Sequence, residues 1–152
     1  VFSGDLCDLY SCEHKGEEVL FKIVQNASDN DLLENEAKIL AHIAPKDATE
    51  AKAVYYRLLP EALDTFMLKG TGNRKVVVLP WYKEYYTMSA VHQEYPKGLD
   101  FKDVVWMFKR LLMVLGFVHP KGVVHGAIIP PHVLVHPVNH GIRLIDWSYA
   151  GQ

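Results

Sequence analysis

The chain has 152 residues, 49% of them apolar, with 16 basic against 18 acidic side chains and a formal charge of −2. That is enough apolar material for one domain or two small lobes, and the charge gives no global field favouring nucleic acid or an anionic membrane. No apolar run approaches the roughly 18 residues of a membrane span, the start VFSGDLCDLY has no signal-peptide layout, and two cysteines, Cys7 and Cys12, show no metal-type spacing, so a cytoplasmic, thiol-reducing setting is expected.

Leu9–Tyr10 and Val19–Val24 are β-prone runs around the polar Ser11–Glu18, which predicts an N-terminal hairpin. Lys22, in VLFKIV, is costly to bury without a partner unless it snorkels at the sheet edge. Asp29–His42 has helical periodicity with Ser28 or Asp29 as N-cap, and it offers Glu36, with Glu34 as the near alternative, to pair with that lysine. Thr49–Leu59, bounded by Pro45 and Pro60, has the composition of an extra helix. Ala62–Leu68 and Lys75–Leu79 read as strands around the turn sequence GTGN, completing a sheet of about five strands.

The segment VVVLPWYKEYY then places an aromatic cluster, with Trp81 and Tyr82, at a chain reversal. Asp100–His119 is a helix with Asp100 as N-cap, apolar on nearly every side around Trp106, and such a helix is expected to be covered by another subunit or by further polypeptide. In the last stretch, Val133–Val135 and Ile142–Ile145 flank the polar turn His136–Gly141, a β-hairpin with His125, His132 and Asp146 beyond its ends. His136 and His140 read as polar groups of that turn.

The ordered set VLFKIV, NEAKIL, HGAIIPPHVLV and LIDWSYA resembles the protein-kinase superfamily, the third segment lying over the catalytic-loop pattern HRDxxxxN and the fourth over DFG. The resemblance implies an α+β, protein-kinase-like fold. Residues 1–80 would form an N-lobe with an antiparallel sheet and an αC-like helix, and 81–152 a hinge and a partial helical C-lobe. Val1 is not Met and only six residues follow Asp146, so a piece of a longer polypeptide is expected.

The same resemblance implies an ATP site at Lys22, Glu36 and Asp146, with Gly4 in the phosphate hairpin, Val78 and Leu79 on the back wall and Trp81 in the hinge. It also exposes departures. Phe2, Gly4 and Cys7 fall on the three glycine positions, Ala127 on the catalytic Asp, Ile129 on the following Lys, and His132 on the metal-binding Asn. Loss of two glycines obstructs backbone approach to phosphates, and Ala127 cannot accept a proton. His125, Ala127, Ile129 and His132 therefore make a degenerate loop. Asp146 with His132 suits Zn²⁺ or Mn²⁺ better than Mg²⁺, the alternative being a neutral His132 bonded to Asp146 or to a backbone carbonyl. The expectation is a pseudokinase, an interaction or allosteric module able to bind ATP, with a protein partner or a second copy on the Trp106 helix and neither nucleic acid nor membrane as partner. The alternatives are an atypical phosphotransferase and a nucleotide or metal sensor.

Overall fold

The computed structural model describes residues 2–47, 49–50, 54–70 and 72–152. The chain folds as α+β, with an antiparallel sheet and a few helices, an arrangement compatible with a kinase N-lobe. Five strands, β1 (Phe2–Ser3), β2 (Cys7–His14), β3 (Glu17–Val24), β4 (Asp64–Leu68) and β5 (Arg74–Pro80), form one sheet in the order β1-β2-β3-β5-β4. The hairpin strands are longer than expected: Ser11–His14 and Glu17–Glu18 pair in register, and the turn shrinks to Lys15 and Gly16, both at positive φ. Cross-strand hydrogen bonding carries polar residues into the ladder because their side chains remain in solvent.

Helix α1 (Asn30–Ile43) crosses this sheet. Asp29 occupies the N-cap position but makes no capping bond. Instead Asn30 anchors the helix start, donating to the Asn73 carbonyl at 2.9 Å and accepting from the Lys75 amide at 2.6 Å. Its apolar stripe divides between two cores. Leu33 joins Cys7, Val24 and Val77 beneath the sheet, while Ile39, Leu40 and Ile43 meet Met107, Val114, Val118, Leu144 and Trp147. The second core thus runs from the α1 helix across residue 80 into the later part of the chain.

The expected extra helix over Thr49–Leu59 is a short 3-10 turn at Val54–Leu58, and Ala51–Ala53 lie outside the described residues. Two elements escaped the sequence reading. Strand β6 (Tyr86–Thr87) adds to the hairpin of β7 (Val133–Val135) and β8 (Ile142–Leu144), making a three-stranded sheet, and Thr87 then caps α2 (Met88–Glu94) by accepting from the Ala90 amide at 3.1 Å. Helix α3 (Phe101–Val118) begins at Asp100, whose carboxylate accepts from the Lys102 amide at 2.8 Å.

That helix buries Met107, Val114 and Val118 against the core, while Phe101, Trp106, Phe108 and Leu112 are 78, 49, 56 and 49% exposed. No helix among the described residues is long and apolar enough to cross a membrane.

Gly126 sits at φ +78°, and a Cβ there would stand 2.4 Å from the Tyr149 carbonyl oxygen, which belongs to backbone held by the Val124–Gly151 bridge. Left-handed strain and a backbone clash both oppose a side chain. Gly126→Ala is expected to cost roughly 2 to 4 kcal/mol, read as a lower urea midpoint at unchanged m-value.

Candidate functional site

Lys22 lies mid-strand in β3, with Leu9 and Val77 as its lateral partners, and its side chain passes under the sheet toward α1. Only 6% of it is exposed. Its Nζ stands 2.8 Å from Glu36 Oε2 and 3.0 Å from Asp146 Oδ1, and it donates to Ser148 Oγ at 3.2 Å. Burial opposes the charged ammonium, but the two carboxylates outweigh it and raise the Lys22 pKa above the ordinary lysine range. Glu36, 1% exposed, turns its other oxygen to the Trp147 amide at 3.1 Å. Glu34, the alternative partner, pairs with Lys38 on the outer face of the helix at 2.8 Å.

Asp146 adopts φ +61°, a left-handed conformation uncommon for a residue other than glycine. Burial pushes its carboxyl up, while Lys22 and the Ser148 side chain more than reverse this and hold it below the usual carboxylate range. Its second oxygen lies 3.4 Å from His132 Nε2. His132 Nδ1 donates to the Ala127 carbonyl at 2.8 Å, which turns Nε2 toward Asp146.

His125 is fully buried beneath Asp146. Its Nδ1 accepts from the Ala127 amide at 3.3 Å and its Nε2 faces the Ile145 carbonyl at 3.0 Å, an arrangement that fits the neutral ring with the proton on Nε2. Burial lowers its pKa to about 4. Its edge meets Trp147 at 4.5 Å, and the indole donates to the Leu144 carbonyl at 2.9 Å.

The structure therefore gathers Lys22, Glu36, Asp146, His132 and His125, with Ala127 beside them. Ile129 is 48% exposed. Val78 is buried in β5, Leu79 is half-buried beside it, and Trp81 is 39% exposed with Lys83 Nζ 5.1 Å from its ring centre. Gly4 lies at the tip of the β1–β2 hairpin, where its amide bonds the Cys7 carbonyl at 2.9 Å. Burial lifts the Cys7 thiol to about 12, which makes it a poor nucleophile.

The sequence reading missed three participants. Ser148, which falls on the glycine of the DFG pattern, enters the ion cluster, where its hydroxyl stands 3.4 Å from Glu36 Oε2. Asn35 donates to the carbonyls of Ser148 at 3.0 Å and Ala150 at 2.8 Å, clamping the segment after Asp146. Gln25 ties down the hairpin tip. The signal for Asn35 was its place beside Glu36 on α1; nothing in the sequence singled out Gln25.

Comparison with known proteins agrees with part of this picture. No protein-family model matches the chain. Over 63 residues it is 35% identical to casein kinase II subunit alpha' of Saccharomyces cerevisiae, covering 36% of this chain and 19% of that protein. Over 62 residues it is 29% identical to a probable casein kinase II subunit alpha homolog of Encephalitozoon cuniculi, covering 39% of this chain and 19% of the relative. The match thus spans about a fifth of the length of these curated relatives. These are partial, local similarities, and they support a protein-kinase-like relationship.

A kinase-like site implies Mg²⁺, and the donors here do not fit it. Asp146 spends one oxygen on Lys22, and the neighbouring position presents imidazole nitrogen where a hard cation needs oxygen. Among the described residues no group of three His, Cys, Asp or Glu side chains is placed to hold a metal ion.

His125 supplies a pH test. A depressed folded-state pKa means that the unfolded chain binds the extra proton first, so its contribution to stability is complete above about 6.5 and is lost as pH falls toward about 4. The stability advantage of the native chain over His125→Gln should shrink across that window in urea melts. A constant difference would mean that burial does not hold the ring neutral.

Proposed function

We propose that this chain is a kinase-like domain without efficient phosphotransfer, a pseudokinase, built as an N-lobe over residues 1–80 and a hinge with partial C-lobe over 81–152. It serves as an interaction or allosteric module and keeps a nucleotide-class ligand cleft, with ATP as the reference ligand, at Lys22, Glu36 and Asp146. One observation carries this reading. The Lys22–Glu36–Asp146 cluster is assembled at 2.8 and 3.0 Å, while the loop from His125 to His132 has Ala127 where a kinase places its base and no carboxylate at any position.

Positioning without a base leaves little chemistry. General-base assistance contributes about 10² to 10⁴ in rate, and Ile129 removes a cation from beside the reacting group as well. His132 is a poor substitute, since its ring is oriented by the Ala127 carbonyl and aimed at Asp146. The free thiols of Cys7 and Cys12 suit a cytoplasmic setting.

Incubation with labelled ATP and generic protein acceptors should give transfer at background level. Robust transfer abolished by Asp146→Ala would instead establish the atypical phosphotransferase.

The partner side of the proposal rests on α3, whose Phe101, Phe108 and Leu112 share one exposed stripe, with Trp106 exposed further round the helix. Side chains of this size gain about 1.5 to 3 kcal/mol each when fully buried, which favours covering the face with a second copy or another protein. Light scattering of the isolated chain should report a dimer or larger species that Trp106→Glu with Phe108→Glu converts to monomer. A monomer at high protein concentration leaves the homodimer without support.

A further inference from the structure

We propose that the cavity between the end of α1 and β8 binds a small monocarboxylate with an apolar body, gripped at its charged end by Arg143. The cavity measures about 600 Å³ and is bordered by the last turn of α1, the segment that follows it, the end of β5 and β8. Small-molecule sites occupy roughly 300 to 1,000 Å³. Lys22, Glu36 and Asp146 do not border it, so this inference stands apart from the ATP reading.

Leu40, Ile43, Leu59 and Pro80 give the cavity apolar walls, and Arg143 breaks that pattern. The protein already holds this side chain in place. Its Nη1 donates to the Leu59 carbonyl at 3.0 Å, and its guanidinium carbon lies 4.0 Å from the Tyr82 ring centre and 5.5 Å from that of Tyr85. A guanidinium stacked in this way is ordered before any ligand arrives, so little side-chain freedom is lost on binding. What it lacks is an anion. Among the described residues Arg143 forms no ion pair, and its Nε is closed to water and has no acceptor. A covered donor without a partner is a cost that an incoming acceptor removes. Arg74 and Arg110 also have a covered Nε without an acceptor, but neither borders this cavity.

The remaining charges select among anions. Arg57 and Glu61 border the cavity as well, both exposed, and offset each other. Glu50, beside the cavity wall at Tyr56, already accepts from the Tyr56 hydroxyl at 3.2 Å and the Lys46 amide at 2.7 Å. With so little positive charge to spare, a monoanion is matched by Arg143, whereas the second charge of a phosphate dianion would be desolvated without a partner. A carboxylate suits the planar fork of the guanidinium, and the apolar walls reward burial of a hydrocarbon or aromatic body.

Amide-resolved NMR titration with decanoate and phenylbutyrate, each beside its primary amide, and with inorganic phosphate decides the matter. Both acids are expected to bind about tenfold or more tightly than their amides, and phosphate more weakly than either acid. Perturbed resonances should gather at Ala41, Leu59, Tyr82 and Arg143 and spare Lys22. Arg143→Met should bring the acids down to the affinity of the amides and leave the amides unchanged. That variant also removes the stack on Tyr82, so Ala41→Trp, at an exposed position of α1 that borders the cavity, supplies a second arm. By filling space it should weaken acids and amides alike, by about tenfold. Equal affinity for acid and amide would overturn the carboxylate grip, and phosphate binding as tightly as the acids would overturn the apolar body. Absence of any perturbation by either acid at concentrations up to about 10 mM would overturn the site itself.

Discussion

A lysine ammonium held almost wholly out of water between two carboxylates is the constraint on which the rest of this molecule depends. Taking such a charge from water costs several kcal/mol, which is recovered only when its partners sit at hydrogen-bond distance with their own remaining groups satisfied. Here β3 brings Lys22, the middle of α1 brings Glu36, and the stretch after β8 brings Asp146 and Ser148. Glu36 lies 14 residues and Ser148 126 residues from Lys22 along the chain. The cluster therefore forms only once the sheet, α1 and the C-terminal stretch have docked, and it reports their correct assembly.

The same cluster governs backbone as well as charge. Glu36 accepts from the Trp147 amide, Asn35 one residue earlier holds the carbonyls of Ser148 and Ala150, and the Val124–Gly151 bridge closes the segment against the catalytic-loop-like turn. Trp147 fills the space above His125 and completes its own hydrogen bonding through Leu144. Ser148, in place of a glycine, spends its hydroxyl on the ion cluster, which trades backbone freedom for a fixed side-chain contact. The segment has one arrangement to which several independent contacts all commit it.

Stability and chemistry part company at this point. A buried ion pair must be kept whole to avoid an uncompensated charge, whether or not any reaction runs beside it. Folding requires that Lys22, Glu36 and Asp146, once buried, stay paired; it does not by itself require that charges stand there. Burial makes no such demand at Ala127 and Ile129 in the loop or at the exposed apolar residues of α3.

The expense of a lysine in VLFKIV, and the helical periodicity that put Glu36 within reach, were legible in the sequence because each is a local pattern with a large energetic penalty behind it. So were the five-stranded sheet, the Asp100 cap and the terminal hairpin. The short β6 and α2 elements were not, since two strand residues and seven helical ones carry no periodicity of their own and form on their neighbours. The α3 helix was read as apolar on nearly all sides, which was right as composition; which of those sides is covered depends on what lies opposite. By itself the sequence determined which residues are chemically able or unable to act, for Ala127 has no proton acceptor in any fold. Tertiary structure alone decided that Asp146 gives its oxygens to Lys22 and His132, that Gln25 fastens the hairpin, and that Asn35 clamps the last segment, because each is a contact between residues far apart in the chain that no local pattern encodes.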